Sequence, residues 1–303
     1  MLKLAITPFD LTTRSRSAAL SLLLGDAILT LSPADLGDAE NAALHAASFA
    51  EFAQAWAWTR DLWHEAILNG ALGATFAAQS QRAWERVGSG TLIASSRKRD
   101  EPTPALDAAR LIRDIARGGG GSVDPSVRLA IEAGLMRSCA KHAVAFVRDA
   151  GDSMLERLIG RSTEPMARVT LPIPDMVDEE IVIELRRMLE PTLTPVRSAI
   201  EEVIAVSYAG ADPPRVRAVC DRRVAPLAEA LVREAVSLEN AVGRAAMRAV
   251  SVRIGVVSSD VVIRAAEQAV RGKADSTSPA LVAEETRVVV LSVKPMAWDA
   301  ASI

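Results

Sequence analysis

Reactive side chains are scarce in this chain: of 303 residues, two are cysteine and three are histidine. Cys139 and Cys220 lie far apart in no paired spacing, which excludes a disulfide framework and a cysteine-built zinc site and points to a reducing cytoplasm. So few imidazoles leave few ways to assemble a general base. Aromatic residues amount to 4%, so the 50% apolar content is aliphatic and alanine-rich, which favours helices packed closely through small side chains. Charge of neither sign dominates. A net charge of -3 and a pI near 5.8 exert no general pull on nucleic acid or anionic lipid, and no nucleic-acid partner is expected. No uninterrupted apolar run reaches the roughly 20 residues that span a bilayer. Residues 17–31 follow Arg14 and Arg16 like the apolar core of a signal peptide. Gly25 and Asp26 interrupt them, however, and Ser32-Pro33-Ala34-Asp35 reads as a helix start rather than a cleavage site. The excess of arginine over lysine in an alanine-rich chain points to a GC-rich bacterial genome.

What the chain has in quantity is helical periodicity. Across residues 226–253, Leu231, Ala235, Leu238, Val242, Ala245, Ala249 and Val252 follow one another at helical steps and form one seam. Val232, Val236, Ala246 and Val250 widen that seam to roughly half the circumference. A helix apolar over so much of its surface is expected to be central and to touch several neighbours. A second spine runs through Ile131, Leu135, Cys139, Ala143, Phe146, Ala150, Met154 and Leu158, which predicts one long helix starting at the Ser122-Val123-Asp124-Pro125 cap. Further helices are predicted over 17–31, 104–117, 178–190, 194–208 and 214–223. Between 38 and 87, Phe49, Phe52, Trp56 and Trp63 line one helical face, either as a core stripe or as an aromatic surface for a partner or a lipid particle.

Extended structure is expected at few places. Residues 2–6 read as a short strand, and 164–174, with Pro165, Pro172 and Pro174 around an alternating Val169, Leu171 and Ile173, as an extended edge segment. Residues 254–257 and 288–293 are valine-rich and strand-like, with a helix predicted over 260–271, so a strand-helix-strand unit is possible at the C-terminal end. Residues 254–257 would equally prolong the central helix. No repeat of solenoid period is present. The expected fold class is therefore mainly α, a helical bundle with a small strand-containing C-terminal element. It divides at the glycines 118–121 into residues 1–117 and 122–303.

Candidate chemistry is thin. Cys139 and His142 stand one helical turn apart, as a thiolate–imidazolium pair or half a metal site would, but Cys139 also belongs to the apolar spine. Asp61, His64 and Glu65 resemble one half of a bundle metal site that lacks its matching second half, so no metal and no cofactor are expected. The glycines 118–121 lack the lysine and hydroxyl of a phosphate loop, and Ser258, Ser259 and Asp260 read as an ordinary helix cap. The function expected is that of a non-enzymatic structural or adaptor protein that self-associates or binds a protein partner, with Leu231, Leu238, Val242, Trp56 and Trp63 as interaction residues. The rivals are an enzyme with a helical active-site cavity, metal-dependent or not, and a protein that attaches to a lipid surface.

Overall fold

The valine-rich strand near the C-terminal end pairs with a strand from the middle of the chain, which in turn pairs with one from the N-terminal end. The computed structural model describes residues 1–30, 57–59, 62, 125–151, 164–242, 247–258, 262 and 287–296. In chain order the elements are β1 (Lys3–Ala5), α1 (Pro8–Thr12), α2 (Arg16–Leu24), β2 (Ala27–Leu29), α3 (Pro125–His142), β3 (Ala145–Asp149), β4 (Glu164–Pro174), α4 (Glu179–Tyr208), α5 (Pro213–Val219), α6 (Ala225–Val242), β5 (Met247–Ser258) and β6 (Arg287–Pro295). A π-helical turn, Cys220–Val224, links α5 to α6. Among the described residues, six strands form one sheet in the order β2-β1-β3-β6-β5-β4. β1 runs parallel to β2 and β3, β3 runs parallel to β6, and β5 is antiparallel to both β6 and β4. This is an α/β fold with a mixed sheet, and the expectation of a mainly helical bundle is overturned.

Two long helical patterns account for the error. The seam predicted over 226–253 is broken: α6 ends at Val242 and β5 begins at Met247, so Ala249, Val250 and Val252 lie on a strand. β-branched residues suit a pleated, doubly paired strand, and β5 has a partner on each side. The spine predicted through Leu158 also stops, at His142. There Ala143 takes a left-handed conformation (φ 52) and the Val144 amide donates to the Cys139 carbonyl at 3.0 Å, the helix-ending loop that usually carries glycine. Phe146, placed on that spine, belongs to β3. In α4 the deviation is opposite. The helix runs through Pro191 and Pro195, where two separate helices are predicted, because Leu189, Leu193 and Val196 bury one continuous face. The expected strand over 2–6 and the proline-bearing edge strand over 164–174 are present as β1 and β4. β5 and β6 are antiparallel neighbours, so they do not form a parallel strand-helix-strand unit. The glycines 118–121 and the predicted domain boundary lie outside the described residues.

The helix enclosed on all sides is α2. Every residue from Ser17 to Leu24 is buried, whereas, among its described side chains, α6 buries a stripe through Ala228, Leu231, Val232 and Ala235. Two arginines of α4 hold its C-terminal end. Arg186 Nη1 donates to the carbonyls of Leu22 (2.6 Å) and Gly25 (2.7 Å), and Arg197 Nε to that of Leu24 (2.8 Å). These carbonyls have no partner within the helix, and a guanidinium both satisfies them and complements the negative end of the helix dipole. Glu190 and Asp26 balance Arg197, at 2.8 and 3.6 Å. Gly25 is constrained by space: a Cβ there would come within 2.2 Å of Ile28 Cδ1. Tyr208 closes the other end of α4, its hydroxyl donating to the Val144 carbonyl at 2.7 Å.

Because Ala143 sits in a conformation that costs an L-residue about 1 kcal/mol or more, Ala143→Gly should stabilise the chain by about 0.5 kcal/mol after the added flexibility of the unfolded state is counted. Urea unfolding checks this. A loss of stability on that substitution would contradict the break assigned to the end of α3.

Candidate functional site

In sheets of this type, ligands bind beyond the carboxyl ends of parallel strands, where the strand order reverses. The chain leaves β1 for β2 on one side, while β3 lies on the other, so the reversal falls between β1 and β3. The residues that follow these two strands are polar. Thr7 caps α1: its Oγ1 accepts from the Asp10 amide at 3.0 Å and donates to Asp10 Oδ2 at 2.6 Å, so Asp10 is held 5% exposed. Arg14 takes a left-handed turn (φ 51) and delivers Ser15 to the N-cap of α2. Ser15 Oγ donates to Asp10 Oδ1 at 3.2 Å and lies 2.6 Å from Ser17 Oγ.

Asp149, the last residue of β3, completes the cluster. Its Oδ1 accepts from the Ser17 amide at 3.0 Å, and its Oδ2 lies 3.8 Å from Arg16 Nη2. A carboxylate supplied by the chain itself thus occupies the first turn of α2, where free amides favour negative charge. Burial pushes the Asp149 carboxyl above its ordinary value, assisted by the negative charge of Asp10 and opposed by Arg16 and by the amides of Ser17 and Arg16. Beside the cluster, the Arg14 guanidinium stacks 4.6 Å from the centre of the Trp58 ring and donates to the Val177 carbonyl at 3.1 Å. The two carboxylates and their hydroxyls make a polar concentration suited to groups that donate hydrogen bonds or carry positive charge. Among the described residues, no three histidine, cysteine, aspartate or glutamate side chains gather as a metal site would require.

The residues singled out from the sequence lie elsewhere. Cys139 is fully buried, and burial drives its thiol far above the ordinary range, so it offers His142 no thiolate to pair with. His142 is exposed at the end of α3. Leu231 is buried within the chain, and Leu238 is half-buried against the core. Asp61, His64, Glu65, Trp56 and Trp63 lie outside the described residues, as does the side chain of Val242, whose backbone ends α6. Asp10 and Asp149 were missed. The signal for Asp10 was present: a strand-like 2–6, then the Thr7-x-x-Asp10 capping spacing and Ser15-x-Ser17. Asp149 was hidden by the helical spine drawn through its segment.

No protein-family model, no curated protein and no solved structure matches this chain, so its geometry alone carries the functional reading.

Proposed function

We propose that this chain is a ligand-binding α/β protein that takes a small cationic or hydroxyl-rich molecule between the carboxyl ends of β1 and β3. The observation that carries this is the convergence of Asp10, on the helix that follows β1, and Asp149, at the end of β3, on Ser15 and Ser17 where the strand order reverses. A bound cation would relieve the repulsion between the two carboxylates, and hydroxyl groups would find acceptors there. A reducing, cytoplasmic setting accords with Cys139 and Cys220, both buried and free.

The test is a melting screen with polyols, sugars and polyamines. At about 100 times Kd a ligand adds about 2.7 kcal/mol to stability, a shift readily seen on melting. Asp10→Ala and Asp149→Ala should each abolish it. Unchanged melting of the wild type across the screen, or a shift that survives both substitutions, contradicts the site.

Self-association through α6 is a second reading, favoured by Leu227 and Leu238, which are only half-buried along that helix. Leu231 faces the core of its own chain, so the seam available to a second copy is narrower than the sequence implied. Light scattering over a wide concentration range should then show a stable oligomer that Leu238→Asp dissociates, because a buried charge without a partner is costly. A monomer throughout would dispose of this reading.

A further inference from the structure

Side chains at paired positions of neighbouring strands share a face, so the register of β4, β5 and β6 sorts their residues into rows. Val169, Val252 and Val293 make one row, buried on the core side. On the other face Arg168 stands opposite Arg253, which stands opposite Ser292. Two residues along, Thr170, Ser251 and Lys294 make the next row of that face. Arg168 and Lys294 are exposed, and the other four residues are half-buried. The pairs on either side, Gly255 with Val290 and Pro172 with Ala249, are buried, so the two rows form a polar band across three strands. Met296 borders the band, exposed, with its Sδ accepting from Thr170 Oγ1 at 3.7 Å.

The band carries three positive charges and no negative one. Among the described residues, Arg168, Arg253 and Lys294 make no ion pair. Arg148 of β3 continues the first row beyond Ser292, but it is buried and is not counted here. Like charges directly opposite one another destabilise a sheet, and Arg253 sits on an interior strand, where no open edge needs a charge to guard it. An anion laid against Arg168 and Arg253 would relieve that repulsion.

We propose that this band is a docking face for the sugar-phosphate backbone of a duplex nucleic acid. Its cations lie on three adjacent strands, about 10 Å across, a span over which a duplex presents several phosphates. Guanidinium groups bind phosphate oxygens in a bidentate manner, and the hydroxyls of Thr170, Ser251 and Ser292 are the other donors that backbone contacts use. No aromatic side chain stands in the two rows to stack on unpaired bases, so contact is confined to the backbone and is independent of sequence. The overall charge of -3, from which no nucleic-acid partner is expected, does not govern a contact of this kind. Exposed charges are screened beyond about 10 Å at 0.1 M salt, so the band itself decides. Asp149 shares the row of Val293, on the opposite face, so this proposal and the binding proposed above stand or fall separately.

The experiment is fluorescence anisotropy of a short labelled duplex of mixed sequence, titrated with the full chain at a series of salt concentrations. Affinity should fall linearly with salt on logarithmic axes. The double variant Arg253→Gln, Lys294→Gln should bind more weakly and lower the slope by about 2, since each phosphate contact contributes about 0.9. Arg233→Gln, which removes an exposed cation of α6 outside the band, should leave both affinity and slope unchanged. Absence of binding at low salt, a slope indifferent to the double variant, or an equal loss on Arg233→Gln overturns the proposal. So does cosedimentation with phosphatidylserine vesicles when the duplex is not bound, which would assign the band to a membrane surface.

Discussion

β6 is paired on both sides and in both senses. Val290 lies opposite Phe146 of β3 in the parallel direction and opposite Gly255 of β5 in the antiparallel one. Within the sheet, this strand joins β2, β1 and β3 on one side to β5 and β4 on the other. Val288, Val289, Val290, Leu291 and Val293 are all buried, as expected of a strand in the interior of a sheet. A charge at any of these positions would be buried away from water, and a slip of one residue would exchange the faces of every side chain against both neighbours at once. The position of Asp149 depends on the same pairing, since Asp149 lies opposite Val293 and its neighbour Ala150 donates to the Val293 carbonyl at 2.8 Å.

α2 then fixes the functional edge from the other direction. It is short, buried from Ser17 to Leu24 and held at both ends by charge: at its start by Asp149, at its end by Arg186 and Arg197. Each charge matches the helix terminus it meets. Burial, with Arg197 close by, lowers Arg186 to about 10, still well above neutral, so Arg186 stays charged under ordinary conditions. A helix pinned in this way keeps Ser15 and Ser17 in register with the ends of β1 and β3. The polar cluster is therefore a consequence of how the core is closed as well as a place for a ligand.

How much of this was legible depended on whether local pattern and long-range pairing agreed. β1 and β4 are legible in the sequence: Leu2, Leu4 and Ile6 alternate, and the prolines of β4 are tolerated at a sheet edge. The valines of β5 and β6 were recognised as strand-like, but not their antiparallel pairing. In the seam running past Val242 and the spine running past Ala143, apolar residues continued at helical spacing across a true break. No glycine or proline marks the break at Ala143, where an alanine takes the left-handed position. The central role assigned to α6 belongs to α2, which is too short for periodicity to distinguish. Asp149 could be recognised as part of a site only after β3 was recognised as a strand.

Native-state hydrogen exchange across β6 tests the account most directly. If β6 is the shared partner of β3 and β5, the amides of Val289, Val290 and Leu291 should be among the slowest to exchange. Those of Phe146, Val147, Val252 and Ile254 should open with them as one cooperative unit. If β3 opened at a much lower free energy than β5, or if the β6 amides exchanged at rates typical of exposed segments, the single mixed sheet would be wrong, and the site built on it with it.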